Sequence, residues 1–416
     1  MDLNGKTIGI WGYGIGGKAI VKFLLKQSLK LMVFDQKQLA DEDQIFLQQH
    51  NVEIVNELND FLECSDYIFP SAGVDLRPFG AIKYKFLSEL DLFQSFFHKP
   101  IIAITGTLGK TTVTTFLAKL LQNAGKRVAV GGNIGIGLCS LIEQQEMVDY
   151  AVLEVSSFQL ELCETFAPAV AVWTNFYSNH LDRHDSVEDY FAAKTKIVSL
   201  QKENNISVVP SSLFLCIKER ARFEHQWSII PEQIPSDWLS YIPEKGVQEN
   251  WKTLCAVLCA LKIPLDVLKM PLDCVIEHRV EYVGSVCDRQ FYNDSKSTVP
   301  EATISAVNQL RGSIILLLGG LSKGVSRELL ISYLKDKVKH IICFGKEREQ
   351  LAAWCVQYNM SHNQAVRLDE AVEMAYNYSS SGDIILLSPG GSSFDLFKNY
   401  QDRGNQFKGL ITQLKG

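Results

Sequence analysis

The stretch Thr105-Gly106-Thr107-Leu108-Gly109-Lys110-Thr111-Thr112 is where residue type and spacing speak most directly of chemistry. It follows the apolar run Ile101 to Ile104 and precedes a helical pattern through Leu121, the setting a phosphate-binding loop requires. In such a loop backbone N–H groups and the helix dipole cradle the β- and γ-phosphates of a nucleotide, Lys110 neutralises them, and the Thr111 hydroxyl ligates Mg2+. Ile104 stands where the strict GxxxxGK[ST] pattern has glycine. Gly106, Thr107, Gly109, Lys110, Thr111 and Thr112 are therefore expected to bind ATP. A second glycine turn, Gly12-Tyr13-Gly14-Ile15-Gly16-Gly17, opens a helix over Ala19 to Lys26, and Asp35 ends the next strand. This GxGxxG pattern suits a nicotinamide dinucleotide, another diphosphate nucleotide, or a purely structural turn, and the motif alone does not choose among them.

Further polar groups stand at strand ends, where open parallel sheets place their ligands. Glu154 follows YAVL, and Asn175, His180 and Asp182 follow AVAVW. Glu154 is suited to hold Mg2+ together with Thr111, because a hard cation on a nucleotide takes oxygen ligands. In the helix Val187 to Leu200, residues Val187, Tyr190, Phe191, Ile197 and Val198 form one apolar stripe. Lys194 lies on that stripe and Lys196 points the opposite way. An inward lysine either snorkels its ammonium to the rim or is buried, in which case its pKa falls and the neutral amine can take up CO2 as a carbamate. Beyond these come His278-Arg279, the run Tyr292 to Thr298, Gly319 to Gly324, and Leu387 to Asp395, each a polar cluster at a strand end.

The elements that must position these residues are apolar, β-rich runs of four to seven residues with helical stretches between them: TIGIWG, KLMVFD, YIFPSAG, PIIAITG, RVAVGG, YAVLEVS, AVAVWTNF, SIILLLGG, HIICFG and DIILLSPGG. Continuous apolar strands alternating with helices predict an α/β protein with parallel sheets covered on both faces. The 416 residues accommodate three such domains, expected over 1–97, 98–275 and 276–416, the second boundary falling near Asp273 to Arg279. The formal net charge of -6, from 41 basic and 47 acidic residues, offers no general attraction for nucleic acid or an anionic membrane. No 18-residue apolar run or signal-like N-terminus is seen, and the ten cysteines lack CxxC or zinc spacing, which predicts a cytoplasmic protein with reduced thiols.

Taken together, GYGIGGK, TGTLGKTT, GGNIG, LEVSSFQLE, NHLDRH, AAK, HR, NDSKST and SPGGSSFDLFKNYQDRGNQF, in this order and spacing, resemble the Mur ligase family. The resemblance runs the whole chain and is strongest with the branch that adds D-glutamate to UDP-N-acetylmuramoyl-L-alanine. It implies a Rossmann-like UDP-binding first domain, a P-loop-type central domain for ATP and two Mg2+ ions, and a Rossmann-like third domain for the amino acid, in a monomeric cytoplasmic enzyme. It implies that Gly14, Ile15, Gly16, Asp35, Ser71, Gly73 and Asn133 bind the UDP-sugar. Lys110, Asn133, His180 and Lys194 match catalytic positions, and Thr111, Glu154, His180 and Lys194, the last as a carbamate, match metal-site positions. Asn293, Asp294 and Lys296 match ATP contacts of the third domain, while Thr298, Lys323, Ser393, Phe394 and Tyr400 match those that hold D-glutamate.

Three positions depart from the family pattern. Leu108 stands where Asn is usual, Asn179 replaces an acid beside His180, and Gly246 to Lys252 aligns with a region that usually carries His-Asn and a further Asn near the adenine but departs from it at Gln248, Glu249 and Lys252. Two other readings remain: a related glutamate ligase on another acceptor such as a folate, and a nucleotide-binding protein that has lost catalysis. A dehydrogenase is weakest, because no hydride-transfer base is evident.

Overall fold

The computed structural model describes residues 3–243, 247–272 and 276–415. Gly246, and 273–275 at the second expected boundary, lie outside the described residues. Among the described residues, three sheets organise the chain. The first has strand order β3-β2-β1-β4, from Thr7–Trp11 (β1), Lys30–Phe34 (β2), Glu53–Ile54 (β3) and Tyr67–Pro70 (β4). The second runs β10-β9-β8-β5-β7-β6, from Ile101–Thr105 (β5), Val128–Gly132 (β6), Tyr150–Glu154 (β7), Val170–Trp173 (β8), Ile206–Pro210 (β9) and Gln226–Ile230 (β10). The third runs β11-β12-β16-β13-β14-β15, from Glu281–Val286 (β11), Arg289–Asn293 (β12), Ile314–Gly319 (β13), His340–Phe344 (β14), His362–Ala365 (β15) and Ile384–Leu387 (β16).

Among these named strands all pairings are parallel except β11 with β12. This explains the unbroken apolar runs: Ile102, Ile104, Val152 and Val172 sit in strands covered on both faces and are fully buried. The order of each sheet also fixes where a ligand can go. β1 lies between β2 and β4, and β5 between β8 and β7, so chain connections depart to opposite sides there and leave a crevice at the carboxyl ends of these two strands. The two glycine turns follow those strands.

Two compact units emerge from the packing. One comprises Met1–Phe176, Glu188–Pro243 and Gln248–Leu272, and the other comprises Tyr177–Val187, Glu244–Val247 and Asp273–Gly416. Within the first unit a common core joins the first two sheets, running through Ile8, Val33 and Phe93 to Ile101, Leu138 and Trp173.

The third glycine of GxGxxG shows how close the packing is. A Cβ on Gly17 would lie 2.1 Å from the Gly12 carbonyl oxygen and 3.2 Å from Ile10 Cγ2. Backbone cannot step aside as a flexible side chain can, so Gly17→Ala is expected to cost about 1–3 kcal/mol, the usual price of overpacking. A lowered urea midpoint with an unchanged slope checks this.

Candidate active site

In the first unit the helix Lys110–Asn123 begins directly after the phosphate loop, with Gly109 as N-cap at φ +81°. The loop is tied down by the end of β8. Asn175 accepts from the Leu108 N–H at 2.8 Å and donates to the Leu108 carbonyl at 3.1 Å, Thr174 donates to that carbonyl at 2.6 Å, and the Asn175 carbonyl accepts from the Thr107 N–H at 3.1 Å. The Leu108 side chain has no part in these bonds, so loss of the usual Asn leaves the loop's shape intact. Its N–H, however, is already spoken for by Asn175. Asn175→Ala removes two side-chain bonds to the loop, each worth about 1 kcal/mol. It is expected to raise the KM for ATP roughly tenfold or more, with a smaller change in kcat, measured by steady-state kinetics.

Lys110 folds back over the loop, donating to the carbonyls of Gly106 at 2.9 Å and Thr107 at 3.0 Å. Thr111 and Glu154 meet: the Thr111 hydroxyl donates to Glu154 Oε2 at 2.7 Å, and Asn133 Nδ2 donates to Oε1 at 2.8 Å. Glu154 is 1% exposed. The position of Asn133 is set by backbone, because its N–H donates to the Glu154 carbonyl at 2.9 Å. Thr111 and Glu154 thus present hard oxygen donors at the mouth of the phosphate loop. That set suits magnesium completed by nucleotide oxygens; among the described residues there is no group of three or more His, Cys, Asp or Glu that could hold a metal ion.

Lys194 resolves the choice between rim and interior. In the helix Val187–Ser199 it is 1% exposed, donating to the Gly106 carbonyl at 2.9 Å and Thr105 Oγ1 at 3.2 Å, with its ammonium 4.9 Å from the Tyr190 ring centroid. Burial, and then the positive charge of Lys110, push its pKa well below the lysine range, against an opposing pull from Glu154. The Tyr190 hydroxyl pairs with Thr107 Oγ1 at 3.2 Å, and burial raises its pKa.

Two side chains of this site were not assigned a role from the sequence. Asn175 was noted only as a polar group at a strand end, and Asn250, in the helix Gln248–Ala260, only within a departing segment; its Oδ1 would lie 2.3 Å from a Cβ on Gly109. An asparagine therefore does stand beside the phosphate loop, despite the departures in that segment.

The GxGxxG turn lines a cleft of about 200 Å³ with Ser71 and Ala72 after β4, the loop Gly132 to Leu138, Glu89 and Gln159. Gly12, Ile15, Gly16, Ser71 and Asn133, from both sheets of the unit, share it. Asp35 does not line it. One oxygen of its carboxylate accepts from the Tyr13 N–H at 2.7 Å and the other from the Lys37 N–H at 2.9 Å, which shapes the turn itself.

The second unit holds the remaining candidates. His180, at φ +58°, lies in its Tyr177–Val187 segment, and its N–H donates to Asn179 Oδ1 at 2.8 Å, the role taken by the residue that replaces the usual acid. Asn293 and Asp294 are fully buried at the end of β12. Asn293 Nδ2 faces His278 Nδ1 at 2.9 Å and Glu281 Oε2 at 3.0 Å, so its amide fastens the His278 corner. Burial, and then Lys408, lower the His278 pKa and favour the neutral ring that can accept this bond. Asp294 accepts from the hydroxyls of Ser297 and Ser388, with Arg279 3.6 Å away; burial nonetheless raises its pKa. Lys323 donates to Thr298 Oγ1 at 3.1 Å, bringing two expected amino-acid contacts together, and Lys296 lies 5.3 Å from the Tyr400 ring centroid. Ser393 is buried and Phe394 exposed. Arg403 was not anticipated: fully buried, it donates to the Ser295 and Gly391 carbonyls and to Ser295 Oγ, joining the clusters after β12 and β16.

Comparison with known proteins agrees with this arrangement. Residues 7–82 match the MurD N-terminal domain, 104–226 the Mur ligase middle domain, and 278–391 the Mur ligase, glutamate ligase domain. A UDP-N-acetylmuramoylalanine--D-glutamate ligase of Desulfotalea psychrophila is 34% identical, covering 98% of this chain and 96% of the relative. The protein of the same name from a Thermoanaerobacter species is 31% identical over 100% of both. The fold is shared with the MurF ligase from Thermotoga maritima solved in complex with ADP, at a TM-score of 0.61 and 15% identity over 98% of this chain and 94% of that one. With a phosphate loop, a second glycine turn and a matching module on each of its three sheets, the chain belongs to the Mur ligase family.

Proposed function

We propose that this protein is a cytoplasmic, monomeric, ATP-dependent ligase that joins D-glutamate to UDP-N-acetylmuramoyl-L-alanine, forming ADP and phosphate in peptidoglycan precursor synthesis. The observation that carries this reading is the pair of glycine turns in one unit: one suits ATP, and the other, in a cleft with Ser71 and Asn133, suits a nucleoside diphosphate sugar. The full-length likeness to ligases of that name supports the choice of substrates over a folate acceptor. The third domain, from residue 276, supplies the amino-acid site at Thr298, Lys323, Ser393, Phe394 and Tyr400.

A carboxylate resists attack because it is anionic and oxide leaves poorly. In the proposed reaction a substrate carboxylate oxygen attacks the γ-phosphorus of ATP and ADP leaves. The D-glutamate nitrogen then attacks the acyl carbon, loses a proton, and phosphate departs. Thr111, Glu154 and a carbamate on Lys194 would hold magnesium, which would supply charge neutralisation where carboxylate meets phosphate. Lys110 adds a fixed positive charge to the same region, the backbone of 106–112 orients the phosphates, and Lys323 pairs with an acidic amino-acid side chain. By the family likeness, Asn293, Asp294 and Lys296 serve ATP and His180 serves magnesium.

Phosphate release by the purified protein with Mg-ATP and UDP-N-acetylmuramoyl-L-alanine, in separate wells with D-glutamate, L-glutamate, D-aspartate or no amino acid, tests the proposal. Release that requires both the UDP-sugar and D-glutamate is expected. Silence in every well with ATP binding intact would favour a protein that has lost catalysis.

A further inference from the structure

Glu89 is a carboxyl group in a cleft that has just been assigned to an anion. It is the first residue of the helix Glu89–Phe96, whose start is fixed by the Ser88 hydroxyl accepting from the N–H groups of Leu90 and Asp91. Leu90, Leu92 and Phe93 are fully buried, which leaves Glu89 no freedom to swing away. Its Oε1 accepts from the Leu138 N–H at 3.2 Å across the cleft, and its Oε2 would lie 3.5 Å from a Cβ on Gly16 in the glycine turn. The carboxyl therefore touches both walls.

The charges around it are settled. Asp91, on the same helix, accepts from the N–H groups of Glu164 and Thr165. Lys18, on the helix Ile15–Leu24, is paired with Asp43 at 2.7 Å, and Lys26 with Glu143. The Cys139 thiol, next to Leu138, is held neutral by burial and by the charge of Glu89. Among the described residues lining the cleft there is no lysine or arginine. A diphosphate here is held by backbone N–H groups and a helix N-terminus, with no side-chain cation to offset a neighbouring carboxylate.

Resting on the proposed UDP-sugar site, we infer that Glu89 is a positioning residue that must be protonated for the ligand to bind, closing the cleft between Gly16 and Leu138 and donating from its carboxyl to the ligand. Burial already lifts its pKa to about 7, despite the stabilising Leu138 bond. Ligand binding then takes up protons near neutrality. The competent fraction falls about tenfold per pH unit above 7, and the apparent Kd rises in proportion. The ligand's own carboxylate and diphosphate diester remain ionised throughout this range, so the proton has to come to the protein.

The test is titration calorimetry of the full chain with UDP-N-acetylmuramoyl-L-alanine between pH 6 and 8.5, in buffers of different ionisation enthalpy, without ATP. The expected result is uptake of about half a proton at pH 7 and close to one at pH 8, with the Kd about tenfold or more weaker at pH 8.5 than at pH 7. Glu89→Gln is expected to flatten both profiles. The wild-type proton count stands even if that variant does not fold. Binding with no proton uptake and a Kd changing less than about twofold overturns the inference and leaves the proposed function in place, as does a Glu89→Gln profile that keeps the wild-type slope. No binding at any pH overturns the proposed ligand and the inference together.

Discussion

Lys194→Met is expected to lower the rate of phosphate release on the order of 10^3-fold while leaving the protein as stable as the wild type or more so. The rate loss follows from position: the amine lies at the base of the phosphate loop, on the Gly106 carbonyl that Lys110 also contacts. Losing one preorganised electrostatic group at a phosphoryl-transfer site costs about 10^2–10^3 in rate, and a carbamate there would add a metal-site oxygen as well. The stability follows from the sign of the pKa shift. In the folded chain the Lys194 pKa is depressed, so the charged form is disfavoured relative to the unfolded chain. That cost is absent above the ordinary lysine range, grows as pH falls through it, and levels off below the folded pKa. Methionine fills nearly the same volume and does not titrate. Its denaturant midpoint at pH 7 should equal or exceed that of the wild type, with the difference shrinking toward pH 10. Depleting CO2 should slow the wild type and bicarbonate restore it, with no effect on the variant. A variant retaining activity within tenfold of wild type would remove Lys194 from the mechanism.

The phosphate loop was legible because its chemistry is local: a strand, glycines where backbone must approach phosphate, then lysine and threonine at a helix start. Glu154 and Lys194 were legible for a related reason, one as an acid ending an apolar strand, the other as a cation on an apolar helical stripe. Bonds that fold back across the chain were not. Asn175 grips Leu108 from 67 positions away, and Glu89 reaches Leu138 over 49. Neither separation leaves a pattern in one sequence. Arg403 lay within the motif DLFKNYQDRG, but residue type alone does not show that Ser295 and Gly391 surround it.

The β11–β12 hairpin escaped notice for a different reason. Its two-residue turn is Cys287-Asp288, at φ +46° and +61°, a conformation usually marked by Asn-Gly or Asp-Gly. Some expected ligand contacts also make bonds within the fold. Asp35 shapes the glycine turn it was expected to serve, and the Asn293 amide fastens His278, because residue type does not tell whether a polar group faces a ligand or its own backbone.

Glu154→Gln isolates the charge of the proposed metal site from its shape. The carboxylate accepts two hydrogen bonds, from the Thr111 hydroxyl and from Asn133 Nδ2. Glutamine can keep its oxygen toward Asn133, which only donates, and turn its amide toward Thr111, whose hydroxyl can rotate to accept. Folding stability should therefore fall by only about 1 kcal/mol, the worth of one exchanged bond. The cation loses an anionic oxygen, and a neutral amide is a poor substitute for a hard ion. At fixed magnesium the rate is expected to fall about 10^2–10^3-fold, with the magnesium midpoint moved upward and part of the rate recovered at high magnesium. Binding of ATP without magnesium should stay within about threefold, because the loop from Gly106 to Thr112 and its Asn175 clamp are untouched by a change of this size. Phosphate release measured against magnesium concentration reads the first effect and metal-free nucleotide titration the second. An unshifted magnesium midpoint with a lowered rate would place Glu154 in the framework of the loop, holding Thr111 and Asn133, and not in the metal site.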